Sequence, residues 1–160
     1  MAAILLLFAS FALYRGRQLR RHVAGLESEF RQLADRHARA SRALAIVTSQ
    51  GARLVQLRRA GDKAGPPLRA WWSRPAGFVL SGFGVPKPPA QRTWQLWLLP
   101  KSGRPVSGGT FLPGARCEVL LISDLTGRLE DPAALAVSEE PEGGSPQPTA
   151  APVWLGSLSE

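Results

Sequence analysis

The apolar residues of the first third of the chain repeat at alternating steps of four and three. This spacing places them on one stripe of a helix and predicts an α-helix over residues 15–49. We call this stripe the seam; it consists of Leu19, Val23, Leu26, Phe30, Leu33, His37, Ala40, Leu44 and Val47. Two interpretations stay open: a coiled-coil stalk that pairs with a second copy, and a helix that packs one face on its own domain or on a neighbouring membrane helix.

An apolar run precedes the seam and ends at Arg15. As a helix, residues 2–14 reach about 20 Å, which is less than the ~30 Å hydrocarbon core of a bilayer. Arginines follow the run instead of preceding it, which disfavours a signal peptide. The pattern predicts a short or truncated transmembrane anchor over residues 1–14, followed by an arginine-rich helical stalk over residues 15–50.

From residue 51 onward the helical period gives way to short apolar runs separated by Gly, Pro and Asp. Runs of this kind between turn residues are typical of β-strands. The predicted strands are 52–58, 68–73, 78–82, 93–99, 106–111, 118–123, 135–139 and 153–155. The pattern therefore predicts a mainly β domain over residues 51–160, a β-sandwich of about seven to eight short antiparallel strands.

Alternation is clearest in the run at 93–99. Trp94, Leu96 and Leu98 fall on one face, and Gln95 and Trp97 fall on the other. This run is predicted to be a central strand. The five tryptophans of the chain are interpreted as packing residues, with an aromatic ligand platform as the alternative.

The net charge of +8 is distributed unevenly along the chain. Residues 15–59 hold eleven arginines and three acidic residues, whereas residues 60–160 are neutral. A basic helix beside an apolar terminus favours the cytoplasmic membrane over a nucleic acid as partner. The single cysteine, Cys117, excludes an internal disulfide.

Catalytic chemistry has little support in the sequence. Both histidines, His22 and His37, belong to the stalk, so the β region has no histidine to act as a general base or metal ligand. Glu139, Glu140 and Glu142 form a cluster that suits either a solvated loop or an acid pair or calcium site. The sequence predicts a protein that is not an enzyme, with no cofactor and no metal.

The cluster opens a segment of glycines and prolines, residues 140–149, between two apolar runs. Glycine supplies backbone freedom and proline removes it, so the segment is predicted to be an ordered loop between two strands. We call residues 140–149 the signature loop.

Three motifs follow one another in the β region: an aromatic-Gln-Leu-Trp strand, a Gly-x-Phe strand end and a Glu-Pro-x-Gly-Gly-Ser-x-x-Pro-Thr loop. Their residues are Trp94, Gln95, Leu96, Trp97, Gly109, Phe111, Glu140, Pro141, Gly143, Gly144, Ser145, Pro148 and Thr149. In this order the motifs resemble the C-terminal domain of the anti-sigma-K factor family. Their role is expected to be structural.

The resemblance implies a single-pass protein of the bacterial inner membrane whose β domain lies outside the cytoplasm. Such a domain would regulate the release of an extracytoplasmic-function sigma factor through successive proteolysis by envelope or intramembrane proteases. The sigma factor would be held by an N-terminal domain that this sequence does not contain, so the expectation is either a truncated product or a relative that keeps only anchor and sensor. The arginines after residue 14 would by themselves place the stalk inside the cell.

A further hypothesis needs no sigma factor. In it, the chain is an interaction or scaffold domain of the cell envelope, and its stalk forms a homodimer through the seam.

Overall fold

One long helix and eight strands make up the described part of the chain. The computed structural model describes residues 2–61, 65–123 and 132–158, with residues 2–14 described as backbone. The elements are α1 (Ala2–Val47), β1 (Arg53–Arg59), β2 (Leu68–Ser73), β3 (Gly77–Gly82), β4 (Arg92–Leu99), β5 (Val106–Phe111), β6 (Val119–Ser123), β7 (Ala134–Pro141) and β8 (Trp154–Ser157). The mainly β architecture predicted from the sequence is confirmed.

Helix α1 continues without a break from the apolar run into the seam. It ends where Ser49 Oγ donates to the Ile46 carbonyl and Gly51 adopts a left-handed φ of 79°, a conformation that glycine adopts without a steric penalty. Among the described residues, no helix holds a stretch both long enough and apolar enough to cross a membrane. The anchor at residues 1–14 stays a prediction, because its side chains lie outside the description.

The chain divides into two compact units, Met1–Ser41 and Arg42–Glu160. The first unit consists of helix α1 up to Ser41. The second contains the last turns of α1 and all eight strands. The buried core lies in the second unit.

The eight strands follow the order β5-β4-β7-β8-β1-β2-β3-β6, and every neighbouring pair is antiparallel. The two edge strands, β5 and β6, also contact each other. The domain is therefore one nearly closed sheet, and the predicted sandwich of two separate sheets is wrong. The reason lies in β1, which pairs with β2 through Arg53 to Leu57 and with β8 through Arg58 and Arg59.

Strand β4 lies between β5 and β7, which confirms the predicted central strand. Trp94, Leu96 and Leu98 point into the core, as the alternation predicts. The opposite face is also buried, with Gln95 at 3% and Trp97 at 1% exposure. Something other than the sheet must therefore cover this outward face of β4.

The core contains two tryptophans packed edge to face, Trp94 and Trp154, with ring centres 4.9 Å apart. Their indole N–H groups donate to the carbonyls of Pro86 and Pro66. Trp72 and Trp97 are buried as well, so these four tryptophans serve packing, as the sequence analysis expected. Trp71 is half-buried and faces outward.

Candidate functional site

The covering of β4 is the signature loop, and Glu140 lies at its base. Glu140 is the penultimate residue of β7, opposite Thr93 of β4. Ser138 shares its face of the sheet, because alternate residues of a strand point the same way. The Glu140 side chain is fully buried although it faces away from the apolar core.

The Glu140 carboxylate closes the signature loop on itself. Thr149, at the far end of the loop, donates its backbone N–H to Oε1 and Oε2 at 3.0 and 3.1 Å. The Thr149 hydroxyl donates to Oε2, and the Ser138 hydroxyl donates to Oε1 at 2.5 Å. One carboxylate thus joins both ends of a ten-residue segment.

Two opposing effects set the protonation of this carboxyl. Burial, the largest single influence, raises the pKa of Glu140. Hydrogen bonds from Ser138, Thr149 and Ser145 together outweigh burial and lower that pKa below its ordinary value of 4.5. Glu140 is therefore an anion at neutral pH, held by neutral donors.

Gln95 of β4 holds the middle of the loop. Its amide oxygen accepts the Ser145 N–H at 2.8 Å, and its amide nitrogen donates to the Ser145 carbonyl at 3.0 Å. The same nitrogen donates to Ser107 Oγ at 2.8 Å. The side-chain amide pairs with the Ser145 backbone as a neighbouring strand would.

Trp97 adds a third connection. Its indole N–H donates to Ser138 Oγ at 2.8 Å, and the Ser138 hydroxyl in turn donates a hydrogen bond to Glu140 Oε1. Such a chain of hydrogen bonds polarises each member and strengthens the whole. The outward face of β4 is therefore a buried polar network beneath an ordered loop.

The two glycines of the loop allow its close approach to β4. Gly143 and Gly144 have φ values of 89° and 85°, in the left-handed region. A Cβ atom on Gly144 would lie 2.8 Å from Gln95 Oε1 and 2.7 Å from Thr110 Cγ2, whereas one on Gly143 would meet nothing within 4 Å. Only Gly144 is required by packing as well as by conformation.

Apart from Gly144, the motif residues fall into four groups. Gln95, Trp97, Glu140, Ser145 and Thr149 take part in the polar network. Trp94, Leu96 and Phe111 point into the apolar core. Pro141, Gly143 and Pro148 shape the loop, and Gly109, with φ of 114°, lies at an irregularity in the pairing of β4 with β5.

Sequence reasoning missed Ser138 and Ser107, which connect the network. Ser138 could have been found because it lies two residues before Glu140 and shares its face. Ser107 carries no such signal, since its position opposite Trp97 depends on the register shift between β4 and β5.

The three clustered carboxylates have three different surroundings. Glu139 forms an ion pair with Arg92 at 2.9 Å, Glu140 is buried in the network, and Glu142 is exposed. Within residues 2–61, 65–123 and 132–158, no group of three or more His, Cys, Asp and Glu side chains is placed to hold a metal ion.

An open cleft of about 630 Å³ adjoins the signature loop. Glu142 and Gly143 line one side, and Lys87, Phe111 and Leu112 contribute to the remainder. The loop thus forms part of an accessible surface as well as a cover for β4.

The seam of α1 faces solvent. Leu19, Val23, Leu26, Phe30, Leu33 and Leu44 are 47–73% exposed, and Val47 is 37% exposed. Ile46 lies on another face of the helix and is buried. The helix therefore presents a long apolar stripe that its own turns leave uncovered.

The fold and the site define a mainly β domain with a buried polar network beneath an ordered loop, preceded by a long helix. The family described as anti-sigma-K factor RskA, C-terminal, matches residues 1–153. The chain belongs to this family and is a regulatory domain of an anti-sigma factor. No curated protein and no solved structure shows a significant match to it.

Proposed function

We propose that the chain is the membrane-anchored, extracytoplasmic regulatory domain of an anti-sigma factor, and that it controls sigma-factor release by regulated proteolysis. The observation that carries the proposal is the extent of the family match, which runs from residue 1 to residue 153 and so includes the helix together with seven of the eight strands of the β domain. Residues 1–14 serve as the anchor in this scheme, and the sigma factor binds a different part of the anti-sigma factor.

The form of α1 suggests how the β domain regulates cleavage. Proteases require extended backbone, so a helix must open locally before it is cut. The segment 15–41 is helical and exposed and contributes none of the buried core. The last turns of α1 belong to the same compact unit as the β domain, so events that loosen this unit would let the helix fray from its C-terminal end, and cleavage would follow.

The same helix supports a homodimer. A solvent-facing apolar stripe with heptad spacing is the surface that a parallel coiled coil buries. We include this pairing in the proposal because it would shield the seam in the resting state.

An envelope scaffold dimerised by α1 is the second candidate function, and the exposed seam favours it equally. Recovery of a sigma factor with the full-length protein, purified from its native host after mild solubilisation, separates the two. A sigma factor in the purified complex supports the regulatory function, and its reproducible absence supports the scaffold.

Thiol labelling tests the location. A Ser102→Cys variant in a Cys117→Ser background places one cysteine in an exposed turn between β4 and β5. We expect a membrane-impermeant maleimide to label it on intact spheroplasts, while a cytoplasmic thiol protein in the same cells stays unlabelled. Labelling of Ser102→Cys only after lysis would place the domain inside the cell and end the extracytoplasmic assignment.

A further inference from the structure

Half of the sheet carries an apolar row on the side that faces away from the core. The pairing of β1, β2, β3 and β6 aligns Leu54 with Trp71, Trp71 with Val79, and Val79 with Ile122. The residues between them point inward to the core, including Val55, Ala70, Trp72, Phe78, Leu80 and Leu121. The aligned row therefore lies on the outward face of the sheet. We use the name basic-aromatic face for this row together with the second outward row, which consists of Gln56, Arg69, Ser81 and Leu120.

The outward row leaves substantial apolar surface in contact with solvent. Leu54 is 59% exposed and Trp71 and Ile122 are half-buried, whereas Val79, between Trp71 and Ile122, is only 3% exposed. Next to them, Leu120 is 59% and Phe83 is 76% exposed. An antiparallel sheet with one solvated face normally places polar residues there, so several exposed apolar side chains on one face mark an interaction surface.

The charges on this half-sheet have one sign. The second outward row aligns Gln56, Arg69 and Ser81 with Leu120. The charged residues within β1, β2, β3 and β6 are all arginines, three in β1 and one in β2. Arg69 is exposed in the row next to the apolar row, and Arg58 is exposed further along the outward side of β1, so the complementary surface is anionic.

A depression in the face provides a place for an anion. It has a volume of about 260 Å³ and is lined by Arg69, Ser81 and Phe83 among others. A guanidinium group and a hydroxyl group are donors that suit a phosphate. A phosphate beside exposed aromatic and aliphatic side chains is the combination found at the surface of a phospholipid bilayer.

We propose that the basic-aromatic face docks on an anionic membrane surface. Leu54, Trp71 and Leu120 enter the headgroup region, where amphipathic aromatic side chains are favoured. Arg58 and Arg69 lie at the level of the lipid phosphates, with the aliphatic stem of Arg69 beside the apolar row. The inference goes beyond the proposed function, which assigns no lipid contact to the β domain, and it holds for any orientation of the anchor.

A local probe tests docking of the face separately from binding by α1. The full chain carries Cys117→Ser and Leu120→Cys, and the new thiol is labelled with an environment-sensitive fluorophore. The matched control is Gln147→Cys, because the signature loop that holds it covers the outward face of β4. Both proteins are mixed with vesicles of phosphatidylcholine alone or with one third phosphatidylglycerol, with and without a lipid-borne quencher.

We expect a blue shift and quenching at position 120, but not at position 147, and only with phosphatidylglycerol. Replacing Arg58 or Arg69 with Gln should weaken this docking about fivefold each. Arg104→Gln, in the turn between β4 and β5, should leave it unchanged. A label at position 120 that stays in water while the chain binds vesicles would overturn the proposal.

A second copy on the same face would give a different result. The blue shift would then rise with protein concentration, occur without vesicles and persist without phosphatidylglycerol, and the membrane proposal would fail. Neither outcome depends on sigma-factor release, so failure here is distinct from failure of the proposed function.

Discussion

At the scale of single residues, Glu140 shows how a carboxylate is held without a cation. Arg92, which lies on the neighbouring strand β4, pairs with Glu139. Among the described residues, Glu140 accepts from Ser138, Ser145 and Thr149, so its charge is stabilised by dipoles of neutral groups. Such a group stabilises the fold only while every donor stays in place.

Glu140→Gln should reduce the free energy of unfolding by about 2–4 kcal/mol at pH 7. The amide group puts a donor where Thr149 and Ser138 both need an acceptor. Urea unfolding followed by tryptophan fluorescence measures the change. Glu142→Gln, at an exposed neighbouring position, is the control and should stay within about 0.5 kcal/mol of the parent.

The low pKa of Glu140 gives the stability a specific dependence on pH. Glu140 holds its proton less tightly in the folded state than in the unfolded state. The stabilisation of the fold by the charged carboxylate is therefore complete above the ordinary pKa of 4.5, and it is lost as the pH falls through the lower pKa of the folded state. The difference in unfolding free energy between the parent and Glu140→Gln should therefore shrink below about pH 4.5. A difference that stays constant from pH 7 to pH 3 would show that Glu140 is not the titrating group.

The two loop glycines offer a matched pair. Gly143→Ala only places a Cβ atom on a left-handed backbone, and it should reduce the free energy of unfolding by about 1 kcal/mol. Gly144→Ala also pushes a methyl group against Gln95 and Thr110, and should lose about 2–4 kcal/mol in total. The midpoints of denaturant unfolding measure both, and equal losses would show that the contact between the loop and β4 has no energetic role.

At the scale of elements, the hydrophobic patterns of β4 and α1 each identify an apolar face, but neither pattern shows what surrounds the element. The alternation in β4 identifies its core face, but the second buried face results from a loop that follows β7. In α1 the pattern identifies an apolar stripe, and the structure shows that this stripe faces solvent. The pattern therefore identifies the stripe but not what covers it.

The proposed homodimer predicts where disulfides can form. In a parallel coiled coil, equal seam positions of the two helices approach closely, whereas outward positions lie too far apart for a disulfide. Under mild oxidation, in a Cys117→Ser background, Leu26→Cys should convert most of the chain to a covalent dimer. Ser28→Cys, on the opposite side of the helix, should convert little; equal conversion of both would argue against pairing through the seam.

At the scale of the whole molecule, the sheet closes through contacts between distant segments. Strand β8 lies between β7 and β1, so the end of the β domain joins its beginning. Gly156 permits the approach, because a Cβ atom there would lie 2.7 Å from the Gln56 carbonyl oxygen. Such pairings are chosen by the packing of the complete core, so the sequence pattern could not distinguish a sandwich from a nearly closed sheet.

The sequence by itself determined the helix, the approximate position of every strand and the central place of β4. These features follow from hydrophobic periodicity and turn residues, which act over a few neighbouring positions. The signature loop was also visible as an ordered connection, because its glycines and prolines restrict the backbone locally.

The tertiary structure alone decided what those elements do together. It separated Glu139, Glu140 and Glu142 into an ion pair, a buried network and a solvated side chain. It also aligned Leu54, Trp71 and Ile122 into one outward row. Both results depend on strand register and on which loop covers which face. Strand register and the covering of each sheet face are set by contacts between residues far apart in the chain, so local sequence patterns do not specify them.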